Sequence, residues 1–238
     1  MNIAIRVNAS KVVGSGHFYR TLFLAKVLKS NNNITFLCDN LEKEYKKILN
    51  KEKLKYFILK KNKNKNKNKN KNYEKEDIKQ TVNFIKKTKS KIDLVILDSY
   101  LISIKWETEI KKIIKKLLVI DDTSRKHNCD IYLNQNLVNK ILIGTLLPKK
   151  CLKLVGPKYI IINPNLSSDK KKILNFPIKN VLIFMGGADT KKLTFKIIKI
   201  LSKKIFAHLT LNIVIGLNNS FQKKIFIFAK NRTKAKIF

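Results

Sequence analysis

Between Arg6 and Arg20 a short apolar strand runs into a glycine loop, and a histidine stands where the next helix begins. No other stretch constrains the chain as much. Met1 to Val7 has the apolar, β-branched character of a strand buried on both faces. His17 to Lys29 repeats apolar residues at helical spacing through Phe18, Leu22, Ala25 and Leu28. At the junction, Gly14, Ser15 and Gly16 allow a tight turn and close approach of the backbone to a ligand. The first amides of a helix, together with its dipole, favour an anion such as a phosphate, so the junction is suited to a nucleotide or a sugar phosphate. The positive end of a helix also disfavours a second positive charge, which suits a histidine there to act as a base. At the start of a helix His17 is expected to be exposed. The same residues also fit an ordinary strand-turn-helix in which His17 caps or packs.

Strand-like runs recur at Asn2 to Val7, Ile34 to Leu37, Tyr56 to Leu59, Leu94 to Leu97 and Leu117 to Ile120. Amphipathic stretches such as Asp77 to Lys87 and Ile104 to Lys115 separate several of them. Such alternation predicts a parallel sheet with helices on both faces. Lys60 to Asn72 is a Lys-Asn run without one apolar residue. It can bury nothing and repels itself, so a disordered surface insertion is expected. After a polar linker over 166–177, Asn180 to Met185 forms a fresh strand, Gly186-Gly187-Ala188-Asp189 a second glycine loop and Thr190 to Lys203 a helix. The repeated plan predicts two Rossmann-like α/β domains, over 1–165 and 178–238. The second has room only for about β-α-β-α and the start of another strand.

Five blocks, in order, carry a resemblance to a known family: RVNASKVVGSGHFYRTLFLA (6–25), VILDSYLISIKWE (95–107), VIDDTSRKHNCDIYLNQN (119–136), LVGPKYIIINP (154–164) and VLIFMGGAD (181–189). Together they resemble the PseG family, the UDP-2,4-diacetamido-2,4,6-trideoxy-β-L-altropyranose hydrolases of pseudaminic acid biosynthesis. The resemblance implies a GT-B arrangement of two Rossmann-like domains, the second truncated, and a UDP-sugar substrate without metal or cofactor. It implies that His17 activates water against the anomeric carbon, and that Arg20, Asn134 and Asn136 lie in the sugar site. The chain departs from the family pattern at Asn8 and Ser99, where aspartate and histidine are usual, and at Asn163, near which an arginine is usual. The same fold serves glycosyltransferases that pass the sugar to an acceptor hydroxyl. An inactive sugar-nucleotide binder is a third reading.

Other candidates follow from their places at strand ends. Asp121 and Asp122 follow a buried strand, at the carboxyl edge where α/β proteins bind ligands, and fit either an orienting role toward sugar hydroxyls or a turn. Asp98 and Tyr100 end another strand and point toward the same edge as His17. Gly186 and Gly187 could offer amides to a phosphate, with Asp189 beside them or serving only as a helix cap. His127, flanked by lysine and asparagine, is expected to be solvated, and His208, beside an apolar run, to be structural.

A net charge of +36 ordinarily points to nucleic acid or an anionic surface. Arginine, however, occurs only at positions 6, 20, 125 and 232, and lysine is spread over every helical stretch. Nucleic-acid readers favour the planar guanidinium and cluster charge with stacking aromatics. Non-specific attraction to polyanions at low salt is expected, with no specific nucleic-acid partner. Cys38, Cys129 and Cys151 lack Cys-x-x-Cys spacing, which argues against a disulfide framework or a zinc site and for a reducing cytoplasm. No apolar run approaches the ~20 residues that span a bilayer, so no membrane association is expected. The sequence carries no signal for an oligomeric state.

Overall fold

The computed structural model describes residues 1–9, 15–59, 69–166, 176–187, 189–216, 219–231 and 234–238, and for 69–72 the backbone only. Gly14, most of the Lys-Asn run and most of the linker lie outside the described residues. The chain divides into two compact units, Met1–Ser167 and Ser168–Phe238.

The first unit alternates strands and helices: β1 (Asn2–Ala9), α1 (Gly16–Leu28), β2 (Asn33–Leu41), α2 (Lys43–Lys51), β3 (Lys55–Ile58), α3 (Lys69–Lys87), β4 (Leu94–Asp98), α4 (Ile104–Lys111), β5 (Lys116–Ile120), β6 (Ile131–Asn134), α5 (Lys140–Thr145) and β7 (Leu152–Val155). All strand pairs are parallel, and the sheet order is β3-β2-β1-β4-β5-β6-β7. Strand periodicity sorts β1 between two cores: Ile3, Ile5 and Val7 pack with Phe18 and Phe36 on one face, while Ala4 packs with Leu97, Trp106 and Tyr132 on the other.

The second unit repeats the plan with β8 (Asn180–Ile183), α6 (Leu193–Leu201), β9 (Thr210–Ile213), α7 (Gln222–Lys230) and β10 (Ala235–Ile237), a parallel sheet ordered β10-β9-β8. Its core is Ile183, Ile198, Leu211, Ile213, Ile225 and Ala229. Among the described residues, no helix is long and apolar enough to cross a membrane.

Several expectations change in detail. Helix α3 begins at Lys69, so the last four residues of the Lys-Asn run are helical rather than part of a disordered insertion. Lysine propagates a helix well once the face from Tyr73 onward has nucleated it. Helix α6 begins at Leu193 rather than Thr190, because Asp189 and Lys192 take positive φ values of 41° and 56°. His208 is exposed, not part of the core. Four elements, α2, α5, β6 and β7, lie outside the strands and helices expected from the sequence; α5, β6 and β7 have six residues or fewer, whereas α2 is amphipathic over nine, with Tyr45 and Leu49 buried. Strand pairing also brings together what the sequence spacing separates, since the thiols of Cys129 and Cys151 lie 3.7 Å apart as free, buried cysteines.

The face of β1 that carries Ala4 also carries Arg6, and Arg6 is fully buried. Its Nη2 lies 2.5 Å and its Nε 2.9 Å from Asp77 Oδ2 on α3, and Nη2 also donates to Tyr73 at 2.8 Å. Trp106 Nε1 donates to the other Asp77 oxygen at 2.8 Å, which ties α4 to the same carboxylate. Burial alone would lower the guanidinium's pKa, but Asp77, with Tyr73 and Asp39, holds it above the ordinary value. Removing one partner of a buried pair strands the other, so Asp77→Ala is expected to destabilise the first unit by about 3–5 kcal/mol. Urea unfolding of the full chain, followed by the fluorescence of its single tryptophan, measures the loss. Arg6→Met combined with Asp77→Leu should recover much of it.

Candidate functional site

In the first unit the chain runs from β1 outward to β2 and β3, then returns to β4 on the other side of β1. This reversal is the switch point at which open α/β sheets bind ligands outside the carboxyl ends of their strands. His17, the second residue of α1, and Asp98, the last of β4, meet there. His17 Nδ1 lies 2.6 Å from Asp98 Oδ1. One turn further along α1, Arg20 grips the same carboxylate with two bonds, Nε to Oδ2 at 2.8 Å and Nη2 to Oδ1 at 2.6 Å. Asp98 is fully buried, so this bidentate pairing holds it as a carboxylate acceptor. In a neutral imidazole, a carboxylate facing Nδ1 places the proton on that nitrogen and the lone pair on Nε2. Ser15 makes no side-chain cap to α1, and a Cβ on Gly16 would meet no described residue within 4 Å.

His17 is only 6% exposed, contrary to the expectation for a residue at the start of a helix. The cause is tertiary: Tyr100 packs edge-on against its ring with centroids 4.5 Å apart, and Asp98 holds its other side.

Tyr100 continues the site toward β5 and β6. Its hydroxyl donates to Asp122 Oδ1 at 2.5 Å, and burial, followed by that carboxylate, pushes its pKa up to about 12. Asn136 Nδ2 reaches Asp122 Oδ2 at 3.4 Å, and its backbone amide donates to Asn134 Oδ1 at 3.0 Å. Tyr100, Asp122, Asn134 and Asn136 therefore form one chain of polar contacts along the carboxyl edge of the sheet.

The two adjacent aspartates part company. Asp122 faces Tyr100, whereas Asp121 is buried and turned inward. Asp121 Oδ1 accepts from Thr123 N and Oγ1, both at 2.6 Å, and Oδ2 accepts from Arg125 Nε at 2.6 Å. Arg125 in turn donates to the carbonyls of Ser99, Tyr100 and Ile102, which staples the loop after β5 to the loop after β4.

In the second unit, Gly186 has φ 78°, a value that favours glycine. Gly216, just after β9, matters more sterically, because a Cβ there would lie 2.3 Å from the Gly187 carbonyl oxygen. Asp189 is a cap: Oδ1 accepts from the Leu193 amide at 2.8 Å and Oδ2 from the Thr194 amide at 2.9 Å. Burial tends to raise its pKa, but the bonds from Thr194 and Leu193, with one from Asn219, prevail and hold it below the usual carboxylate range. Its carboxylate is occupied by the helix start.

No family model matches the chain. It is 30% identical over 243 residues to the UDP-2,4-diacetamido-2,4,6-trideoxy-β-L-altropyranose hydrolase of Campylobacter jejuni, covering all of this chain and 78% of that one. The chain belongs to that hydrolase's family. It is also 29% identical over 245 residues to an uncharacterised protein of Methanocaldococcus jannaschii, of which it spans 46%, about half the length. Among solved structures, MurG of Acinetobacter baumannii matches with a TM-score of 0.55 at 13% identity, over 100% of this chain and 66% of that one. At that identity the likeness shows the fold alone, the parallel-sheet α/β fold of GT-B glycosyltransferases.

Within this hydrolase family member, the sequence motifs converge in part. His17, Arg20 and Asp98 share one carboxylate, with Tyr100 against the histidine, and Asp122, Asn134 and Asn136 adjoin Tyr100. Arg125 escaped the sequence reading, although its rarity was a signal: in a chain that otherwise uses lysine, an arginine marks a place where a planar fork is needed. His127 was expected to be solvated and is 3% exposed, held by Glu107. Among the described residues, Asn8 Oδ1 and Asp39 Oδ1 are buried acceptors without a hydrogen bond, although Asp39 Oδ1 lies 4.0 Å from Arg6 Nη1; Tyr73 bonds both residues through their other atoms.

Tyr73, Tyr100 and Tyr132 are each pushed up to about 12, burial being the first cause in each case. Unfolded tyrosine ionises near 10, so these groups leave stability intact below that pH and erode it as pH rises toward 12. Absorbance at 295 nm is expected to show these three tyrosines, together with Tyr45, whose pKa burial also raises, titrating late in the folded chain and earlier in denaturant.

Proposed function

We propose that this chain hydrolyses a UDP-linked 2,4-diacetamido-2,4,6-trideoxy sugar to the free sugar and UDP, with His17 as the general base. The observation that carries the reading is the His17–Asp98–Arg20 arrangement at the switch point. The family membership supports the substrate class. Asp98 holds the Nδ1 proton and orients the ring, and Arg20 balances the charge of Asp98. His17 Nε2 then takes a proton from a water molecule as the water oxygen forms a bond to the anomeric carbon. The bond from that carbon to the diphosphate oxygen breaks, and its electron pair leaves with UDP. One displacement of this kind inverts the anomeric centre.

Tyr100, Asp122, Asn134 and Asn136 offer donors and acceptors to the sugar's substituents. Gly14, Ser15 and Gly16 lead into the start of α1, whose amides suit an anion. Asp121 acts within the protein, through Arg125, and holds the loop on which Tyr100 sits. The backbone of Gly186 and Gly187 is the second unit's own candidate for a phosphate.

His17→Gln is expected to lower UDP release by roughly 10²-fold or more while the circular dichroism spectrum stays unchanged, because a general base contributes about that much. Coupled detection of UDP from the sugar nucleotide measures it. Equal rates in the two proteins would refute the assignment of the base, and equal consumption of an acceptor alcohol instead of water would transfer the reading to glycosyl transfer.

A further inference from the structure

One buried histidine remains outside this chemistry. His127 is 3% exposed, and its Nδ1 lies 2.7 Å from Glu107 Oε1 on α4, a residue itself fully buried. The Asn128 amide donates to the second Glu107 oxygen at 2.6 Å, so the carboxylate is fixed from both sides. Among the described residues His127 Nε2 has no hydrogen-bond partner, and it lies 3.7 Å from Asp121 Oδ2, the oxygen that holds Arg125. The His127 ring also packs on Tyr132 with centroids 5.3 Å apart, and Tyr132 donates to the Asp121 carbonyl at 2.8 Å. The ring therefore presses on Asp121 directly and through Tyr132.

The consequence runs outward through known contacts. Asp121 aligns Arg125, Arg125 donates to the Ser99 and Tyr100 carbonyls, and the Tyr100 ring stands against His17. Among the described residues, α4 and the core beneath it reach the polar edge of the sheet by this route.

We propose that His127 is a positioning residue for the site: braced by Glu107, it sets Asp121 and Arg125 and thereby the loop that places Tyr100 against His17. The proposal rests on the hydrolase reading only for its kinetic consequence. The ring edge stands between two carboxylates, with Glu107 Oε1 at Nδ1 and Asp121 Oδ2 3.7 Å from Nε2, so an N–H on either nitrogen points at an acceptor. A shift of order 1 Å in a group far from the reacting atoms is enough to slow a reaction substantially.

The test uses two variants of the full chain. His127→Asn keeps a donor near Glu107 and has no atom facing Asp121, whereas His127→Gln returns an amide nitrogen toward Asp121. Expected for His127→Asn is a fall in kcat of about tenfold or more with KM within about twofold, and for His127→Gln recovery of most of it. Native-state hydrogen exchange provides a readout that needs no substrate. The Thr123 amide, which donates to Asp121, and the Leu101 amide, which donates to Ser99 Oγ, should exchange faster in His127→Asn and return toward wild type in His127→Gln. Unchanged exchange at both amides in His127→Asn would overturn the proposal, and so would equal losses in both variants, which mark a merely structural histidine. A wild-type chain that releases no UDP would defeat the hydrolase reading and leave the exchange result to decide the role of His127.

Discussion

A guanidinium drawn wholly or partly out of water takes a carboxylate with it, and three such pairings organise the first unit. Arg6 on β1 meets Asp77 on α3, Arg20 on α1 meets Asp98 on β4, and Arg125 in the loop after β5 holds Asp121 at the end of that strand. The first two pairings join elements distant in sequence, and the third, between residues four apart, braces the loop after β5. Each is also demanding, because a planar fork accepts few orientations and an unmatched partner in a buried place costs several kcal/mol. Arg6 and Asp77 lock α3 and, through Trp106, α4 against the sheet. Arg20 and Asp98 then place His17 where α1 begins. The chemistry at the sheet edge thus depends on charge pairs that do no chemistry themselves.

The pairings also show how the two basic residue types are divided in use. Lysine covers the surface as a compact, strongly hydrated charge that tolerates any geometry. Arginine is kept for fixed geometry: of the four in the chain, the three at described positions are each engaged with a carboxylate. Net charge consequently says little about the site, while the positions of the rare arginines say a good deal.

The two glycine loops look alike in sequence and differ in use. After β1, the start of α1 is left without a side-chain cap and a histidine stands beside it. After β8, Asp189 takes the corresponding amides for itself, and Gly216 leaves only enough room for the Gly187 backbone. A carboxylate at a helix start already satisfies the charge that a phosphate would seek there.

Alternating apolar runs determined that this chain forms parallel α/β units, because a strand buried on both faces and an amphipathic helix each leave a periodic mark in the sequence itself. The strand-glycine-histidine junction likewise marked His17 and its helix, and the aspartates at strand ends marked the edge of the sheet. Short strands such as β6 (IYLN) and β7 (LKLV) left little mark, since a polar residue ends or interrupts each apolar run. Only tertiary structure decided that His17 is buried, that Asp121 turns inward while its neighbour Asp122 faces Tyr100, and that His127 sits dry against Glu107. These outcomes depend on which strands lie side by side and which carboxylate meets which cation, and pairings between residues tens of positions apart leave no trace in the local order of the chain.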